Sequence, residues 1–160
     1  MKRAKAVVMV LAIVGLTLAG CSSDDSSGSS TTTSGGVTVP PTGDSTTVNI
    51  EVGDTQGLDG PMTMTVSPAS AAAGSITFVV KNTGTIEHEM VVLKTDTPFD
   101  ALEVDAEGKV SEDTSIGEVA EFAAGTTKSV TLDVPAGSYA LVCNIAKHYG
   151  MGMRAAFTAT

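Results

Sequence analysis

The chain has 160 residues, with 18 Asp plus Glu against 9 Lys plus Arg and a formal net charge of −9. That is one domain's worth of chain, and its acidity excludes the basic footprint of a nucleic-acid binder. With 2 His and 2 Cys it can form neither a disulfide framework nor a cysteine-rich zinc module, so the positions of those four residues are informative.

The chain opens with Lys2, Arg3 and Lys5, followed by an uncharged apolar run over 6–20. The run is short for a membrane span, which needs about 20 residues, and suits a secretory signal. Leu18-Ala19-Gly20-Cys21 resembles the lipobox of bacterial lipoproteins. The resemblance implies that 1–20 is a signal peptide and that Cys21 is lipidated, which anchors the protein to the cell membrane outside the cytoplasm. Several acyl chains hold where a single chain is marginal. Cleavage removes three cations and no anion, so the remaining chain is still more acidic. It also leaves Cys143 as the one unlipidated cysteine, and an unpaired thiol outside the cytoplasm needs a reason.

Residues 22–47 are dominated by Ser, Thr, Gly, Pro and Asp. They cannot bury enough apolar surface to offset their ordering entropy. We expect a flexible tether there, with a typical end-to-end distance of about 28 Å.

The remaining 48–160 reads as one domain with an apolar pattern of mostly period two. Strands are expected over 47–52, 62–66, 75–82, 88–94, 130–134, 139–143 and 153–157. Asp59-Gly60-Pro61, Ala73-Gly74, Thr83-Gly84 and Pro135-Ala136-Gly137 punctuate them. Seven to eight short strands at this spacing predict an all-β, antiparallel Greek-key β-sandwich. An acidic, irregular insertion is expected at 96–125, with short helical turns over 99–104 and 116–122.

His88 opens one expected strand and Cys143 closes another, while His148, Met151 and Met153 lie between Cys143 and the last strand. A thiolate, two imidazoles and a thioether form a soft mixed ligand set. Two His and one Cys with a long axial Met is the blue-copper electron-transfer arrangement. Strand phase places His88, Cys143 and Met153 on inward faces. Met62, Met64 and Met90 read as core filling, for which methionine is adaptable.

The segment Asn82-Thr83-Gly84-Thr85-Ile86-Glu87-His88 resembles the N-x-G-x-x-x-H segment of the cupredoxins, the small blue-copper proteins of plastocyanin and azurin type. Pro135-Ala136-Gly137-Ser138-Tyr139-Ala140-Leu141-Val142-Cys143 resembles their P-x-G-x-Y-x-(apolar)-x-C strand. Cys143, His148 and Met153 match C-x4-H-x4-M, and the likeness covers about 75–160. The resemblance implies one type 1 copper ion, with Cys143 as thiolate ligand, His88 and His148 as imidazole ligands and Met153 as axial thioether. Met151 is the alternative axial ligand. It also implies a partly exposed His148 as the route for the electron.

Two departures stand out. Glu89 occupies a position where many relatives carry Asn, Ser or Thr, and Ala146-Lys147 stands where relatives often carry Pro-Gly. An ionised Glu89 would favour Cu(II).

The expected function is thus a membrane-tethered electron carrier, copper cycling between Cu(I) and Cu(II), and not an enzyme, since two histidines leave none for a second metal centre. The alternative is an extracytoplasmic (periplasmic) copper-binding protein for delivery or buffering. The acidic run 100–121 suggests redox partners with a basic docking face. A monomer that does not bind nucleic acid is expected.

Overall fold

A computed structural model describes residues 45–160. The expected signal peptide, Cys21 and the linker up to residue 44 lie outside the described residues. Among the described residues, nine strands form two packed sheets. The first contains β1 (Thr46–Asp54), β2 (Met62–Ser67), β4 (Gly74–Asn82) and β7 (Thr127–Val134), in the order β2-β1-β4-β7. The second contains β3 (Ser70–Ala71), β5 (His88–Lys94), β6 (Ser115–Phe122), β8 (Gly137–Val142) and β9 (Arg154–Ala159), in the order β3-β9-β8-β5-β6. The all-β sandwich expected from the alternating pattern is present. Two neighbouring pairs, β1 with β4 and β3 with β9, run parallel, so both sheets are mixed rather than purely antiparallel.

Period-two alternation builds the central layer. Val48, Ile50 and Val52 of β1, Ile76, Phe78 and Val80 of β4, and Met90 and Val92 of β5 all turn inward. Together with Leu141 of β8, Phe157 of β9 and the adjoining Cys143 and Met153, they form one buried cluster between the two sheets. Phe78 and Phe157 pack edge to face, with centroids 5.4 Å apart, an arrangement favoured by the ring quadrupoles. Met62, Met64 and Met90 are buried in this layer.

β5 and β8 are buried on both faces. Val91, Leu93, Ala140 and Val142 point away from the central layer and form a second apolar cluster with Val110 and Tyr149, against which Phe99 and Leu102 pack. The excursion between β5 and β6 therefore covers the outer face of the second sheet. The apolar residues scattered through this acidic stretch are what attach it.

The expected insertion at 96–125 is shorter than its composition suggests, because residues 115–122 are strand β6. The expected helical turn over 116–122 is corrected accordingly. Val119 and Phe122 are both buried, and their spacing of three imitates a helical face. It arises instead from register shifts in the β5–β6 ladder between His88 and Met90 and between Val92 and Leu93, which add residues to one strand and break alternation. At 99–104 there is no helix either. A turn with Ala101 N–H on the Pro98 carbonyl and an isolated bridge between Val104 and Val110 take its place.

Candidate metal centre

Three chain segments converge at one end of the sandwich. His88 is the first residue of β5, Cys143 follows β8, and His148 lies in the loop leading to β9. Their ligand atoms all lie within 4.8 Å of one another, and all three residues are buried. The Nδ1 atoms of His88 and His148 are 3.3 Å apart, and Cys143 Sγ is 3.4 Å from His148 Nδ1. The two rings meet edge to face at 5.1 Å. Residues separated by up to 60 positions are thus brought to one point.

The loop from Cys143 to β9 is tied to itself by its backbone. His148 N–H donates to Ile145, Met151 N–H to Lys147 and Met153 N–H to His148. Cys143 N–H donates to the Met153 carbonyl at 3.0 Å, so the Met153 backbone is bonded to both Cys143 and His148. Met153 is fully buried, whereas Met151 is half-buried. Lys147 adopts φ 73°, a left-handed conformation that glycine takes without cost and a lysine does not.

The expectation of a partly exposed His148 is corrected: the residue is 2% exposed. The residue lies in a tight, backbone-bonded turn over 145–153, and Tyr149 beside it is buried under the excursion.

Sequence reasoning did not single out Asp54. This residue ends β1, and its carboxylate accepts hydrogen bonds from the N–H groups of Gly57, Thr85 and Ile86, the Thr85 hydroxyl and His88 Nε2. Burial opposes its ionisation, but the donors from Thr85, Gly57 and His88 outweigh burial and hold the carboxyl well below the usual carboxylate range. A carboxylate only accepts, so His88 carries its proton on Nε2 and turns a free Nδ1 lone pair toward Cys143 and His148. Gly84 permits this approach, since any Cβ there would collide with both the Asp54 carboxylate and His88 Nε2. Asn82 shapes the same loop by accepting from Gly84 N–H and donating to the Ile86 and Phe122 carbonyls.

The remaining titratable groups suit a ligand set. His148 is shifted toward the neutral form by burial and by the neighbouring His88, which leaves an imidazole able to ligate. Burial pushes the Cys143 thiol up to about 12, against the N–H groups of Glu89 and Ile145 that favour the thiolate. A cation is thus needed to make the thiolate stable at neutral pH. Glu89 N–H points at Cys143 Sγ over 3.4 Å.

The Glu89 carboxyl is pushed up to about 7 by burial, then by repulsion from Glu121, with smaller contributions from Glu112 and Glu118. Its charge is therefore only partly expressed at neutral pH. The native state keeps this proton where an unfolded chain with a pKa of 4.5 has lost it. Native stability is consequently lost between about 4.5 and 7 and stays reduced above. In the metal-free chain, Glu89→Gln should be more stabilising at pH 8 than at pH 4.5, as read by urea unfolding. An equal effect at both pH values would show that the carboxyl ionises normally.

Two imidazole nitrogens and a sulfur, buried and converging on one point, fit a trigonal His2Cys copper site. The Nδ1 atoms of both histidines and Cys143 Sγ face one another. The donor set is complete without any further His or Cys.

Residues 37–160 match the Sulfocyanin (SoxE) domain family. No curated protein is similar to the chain in sequence. Among solved structures, dithionite-reduced auracyanin from Roseiflexus castenholzii is 25% identical, with a TM-score of 0.53, and the match covers 74% of this chain and 99% of that one. Rusticyanin from Thiobacillus ferrooxidans is 15% identical, with a TM-score of 0.53 over 71% of this chain and 77% of that one, which is a likeness of fold. The family match, together with the His88–Cys143–His148 cluster inside a two-sheet β-sandwich, places this chain in the sulfocyanin family of blue-copper cupredoxins.

Proposed function

We propose that this protein is a membrane-tethered, one-electron carrier with His88, Cys143 and His148 as equatorial ligands and Met153 as the axial one. The observation that carries the reading is the buried His2Cys triad with its ligand atoms within 4.8 Å. Bound there, a single copper ion supplies a Cu(I)/Cu(II) couple. The chain's own part is to hold the donors still. Asp54 orients His88, the Met153 backbone bridges Cys143 and His148, and Glu89 N–H donates toward the sulfur. Burial keeps water from the sulfur. A site that does not rearrange between oxidation states suits electron transfer better than catalysis, and redox proteins are the partners it calls for.

Met153 is favoured over Met151 because it is fully buried in the central layer and bonded through its backbone to two ligand residues. The signal segment, Cys21 lipidation and the tether would hold a monomeric domain near the outer face of the cell membrane. Among the described residues no helix is long and apolar enough to cross a membrane.

The test is to add Cu(II) to the purified chain. An intense blue thiolate-to-copper band and a reversible one-electron couple are expected. A colourless protein that takes up only Cu(I) would favour the second reading, copper delivery or buffering. Met153→Leu should shift the potential more than the colour; a larger shift in Met151→Leu would move the axial role to Met151.

Glu89, Glu112, Glu118 and Glu121 are close enough to raise the Glu89 pKa by mutual repulsion, so an acidic surface lies beside the Cys143 ligand. It suits a partner with a basic docking face, and its electron exchange with such a partner should slow as salt is raised. Stopped-flow rates that are flat with ionic strength would remove the acidic face from docking.

A further inference from the structure

The carboxylate behind His88 invites a more specific reading of the same site. We infer that Asp54 is the positioning residue of the centre: its buried carboxylate fixes the His88 tautomer and ring, and its negative charge, passed through that ring, biases the site toward Cu(II). This rests on the copper reading above.

Three observations support it. The Asp54 and His88 side chains are both fully buried, and His88 Nε2 lies 3.0 Å from Asp54 Oδ2. An acceptor-only group at that distance admits one tautomer, the one with Nδ1 free. The carboxylate itself is immobilised, because Gly57 N–H is 2.7 Å from Oδ1 and Thr85 N–H is 2.8 Å from Oδ2. A buried charge without partners would be costly; here the donors come from two loops, one following β1 and one leading into β5. Finally, Gly84 keeps the space between β1 and the His88 loop free of any side chain. A neutral backbone carbonyl could have fixed the tautomer. A carboxylate adds basicity to the ligand, as outer-shell carboxylates do for metal-bound histidines.

The experiment uses the full-length chain and two substitutions with opposite expected signs. Asp54→Asn keeps the shape and removes the charge. Its amide must turn an NH2 toward one set of donors, which loosens the grip on His88. Thr85→Val removes the hydroxyl donor to Oδ1, leaving the charge in place and more of it directed at His88. In the metal-free chain, 15N–1H long-range NMR should find His88 protonated on Nε2, and Asp54→Asn should raise the Nδ1–H fraction. Cu(II) affinity should fall about 10–100-fold in Asp54→Asn. Voltammetry should show the potential moving up in Asp54→Asn and down in Thr85→Val. Shifts of the same sign in both variants would mean that Asp54 acts only by holding the fold together, and the inference would fail. An unchanged His88 tautomer in Asp54→Asn would also overturn it. If the unsubstituted chain forms no copper–thiolate band, the copper reading itself falls, while the metal-free NMR still reports whether Asp54 sets the His88 tautomer.

Discussion

Replacing Cys143 with Ser should abolish the blue band completely and leave a protein that folds. The reason lies in what the sulfur touches. Its polar neighbours include Glu89 N–H and His148 Nδ1, each at 3.4 Å, and a serine hydroxyl can satisfy both at a stability cost of about 1 kcal/mol. The hydroxyl cannot stand in for a thiolate. It stays protonated, it is hard where copper prefers soft sulfur, and it has no charge-transfer transition of comparable strength. Absorption and electron paramagnetic resonance spectra of the Cu(II)-loaded variant, with circular dichroism as the control for folding, decide the matter. A surviving blue band would place the thiolate elsewhere, and Cys21 is the only other cysteine in the chain.

The second large effect concerns Asn144, the residue after Cys143. Its Oδ1 accepts from Val110 N–H at 2.8 Å, and its Nδ2 donates to the Val110 carbonyl at 3.0 Å and to Glu112 Oε1 at 2.6 Å. Asn144 and Val110 are both buried. Asn144→Ala would leave two backbone groups of Val110 without these partners, at about 1–3 kcal/mol each.

The consequence reaches the ligands, because the excursion and the ligand loop hold each other. Tyr149 OH donates to the Phe99 carbonyl and accepts from Leu102 N–H, while Gly108 sits against the Lys147 backbone so closely that a Cβ would come within 3.2 Å of it. Lys147 is the residue with the left-handed backbone. The excursion thus braces a loop that lacks the rigid Pro-Gly pair. Urea unfolding of the metal-free variant measures the first effect, and the rate of copper loss to a chelator measures the second. A stability change under about 0.5 kcal/mol would show that the bracing is carried by Tyr149 alone.

Most strands could be read from the chain because burial on one face imposes period two, and β1, β2, β4 and β7 follow it closely. Two strands were missed: the two-residue β3, too short to show a pattern, and β6, where bulges against β5 convert alternation into a helix-like spacing of Val119 and Phe122. A bulge is a property of two strands together, so one strand's residues do not reveal it. The excursion was read as an acidic insertion from its composition. Its attachment depends on Phe99, Leu102 and Val110 finding the outer face of β5 and β8, which composition does not encode.

The candidate site was legible to the same degree. His88, Cys143 and His148 could be named because the chain is so poor in His and Cys that their strand-end positions carry weight. Their convergence within 4.8 Å agrees with that reading. By itself the sequence determined the donor types, their spacing on strand ends and the family pattern around them, because those follow from local chemistry and alternation. Only the tertiary structure decided which other groups face the donors. Asp54 stands 34 positions before His88 with no local pattern linking them, and the burial of His148 depends on tertiary packing. Hydrogen-bond partners and burial are properties of packing, so residues distant in the chain become neighbours only once the two sheets have closed around them.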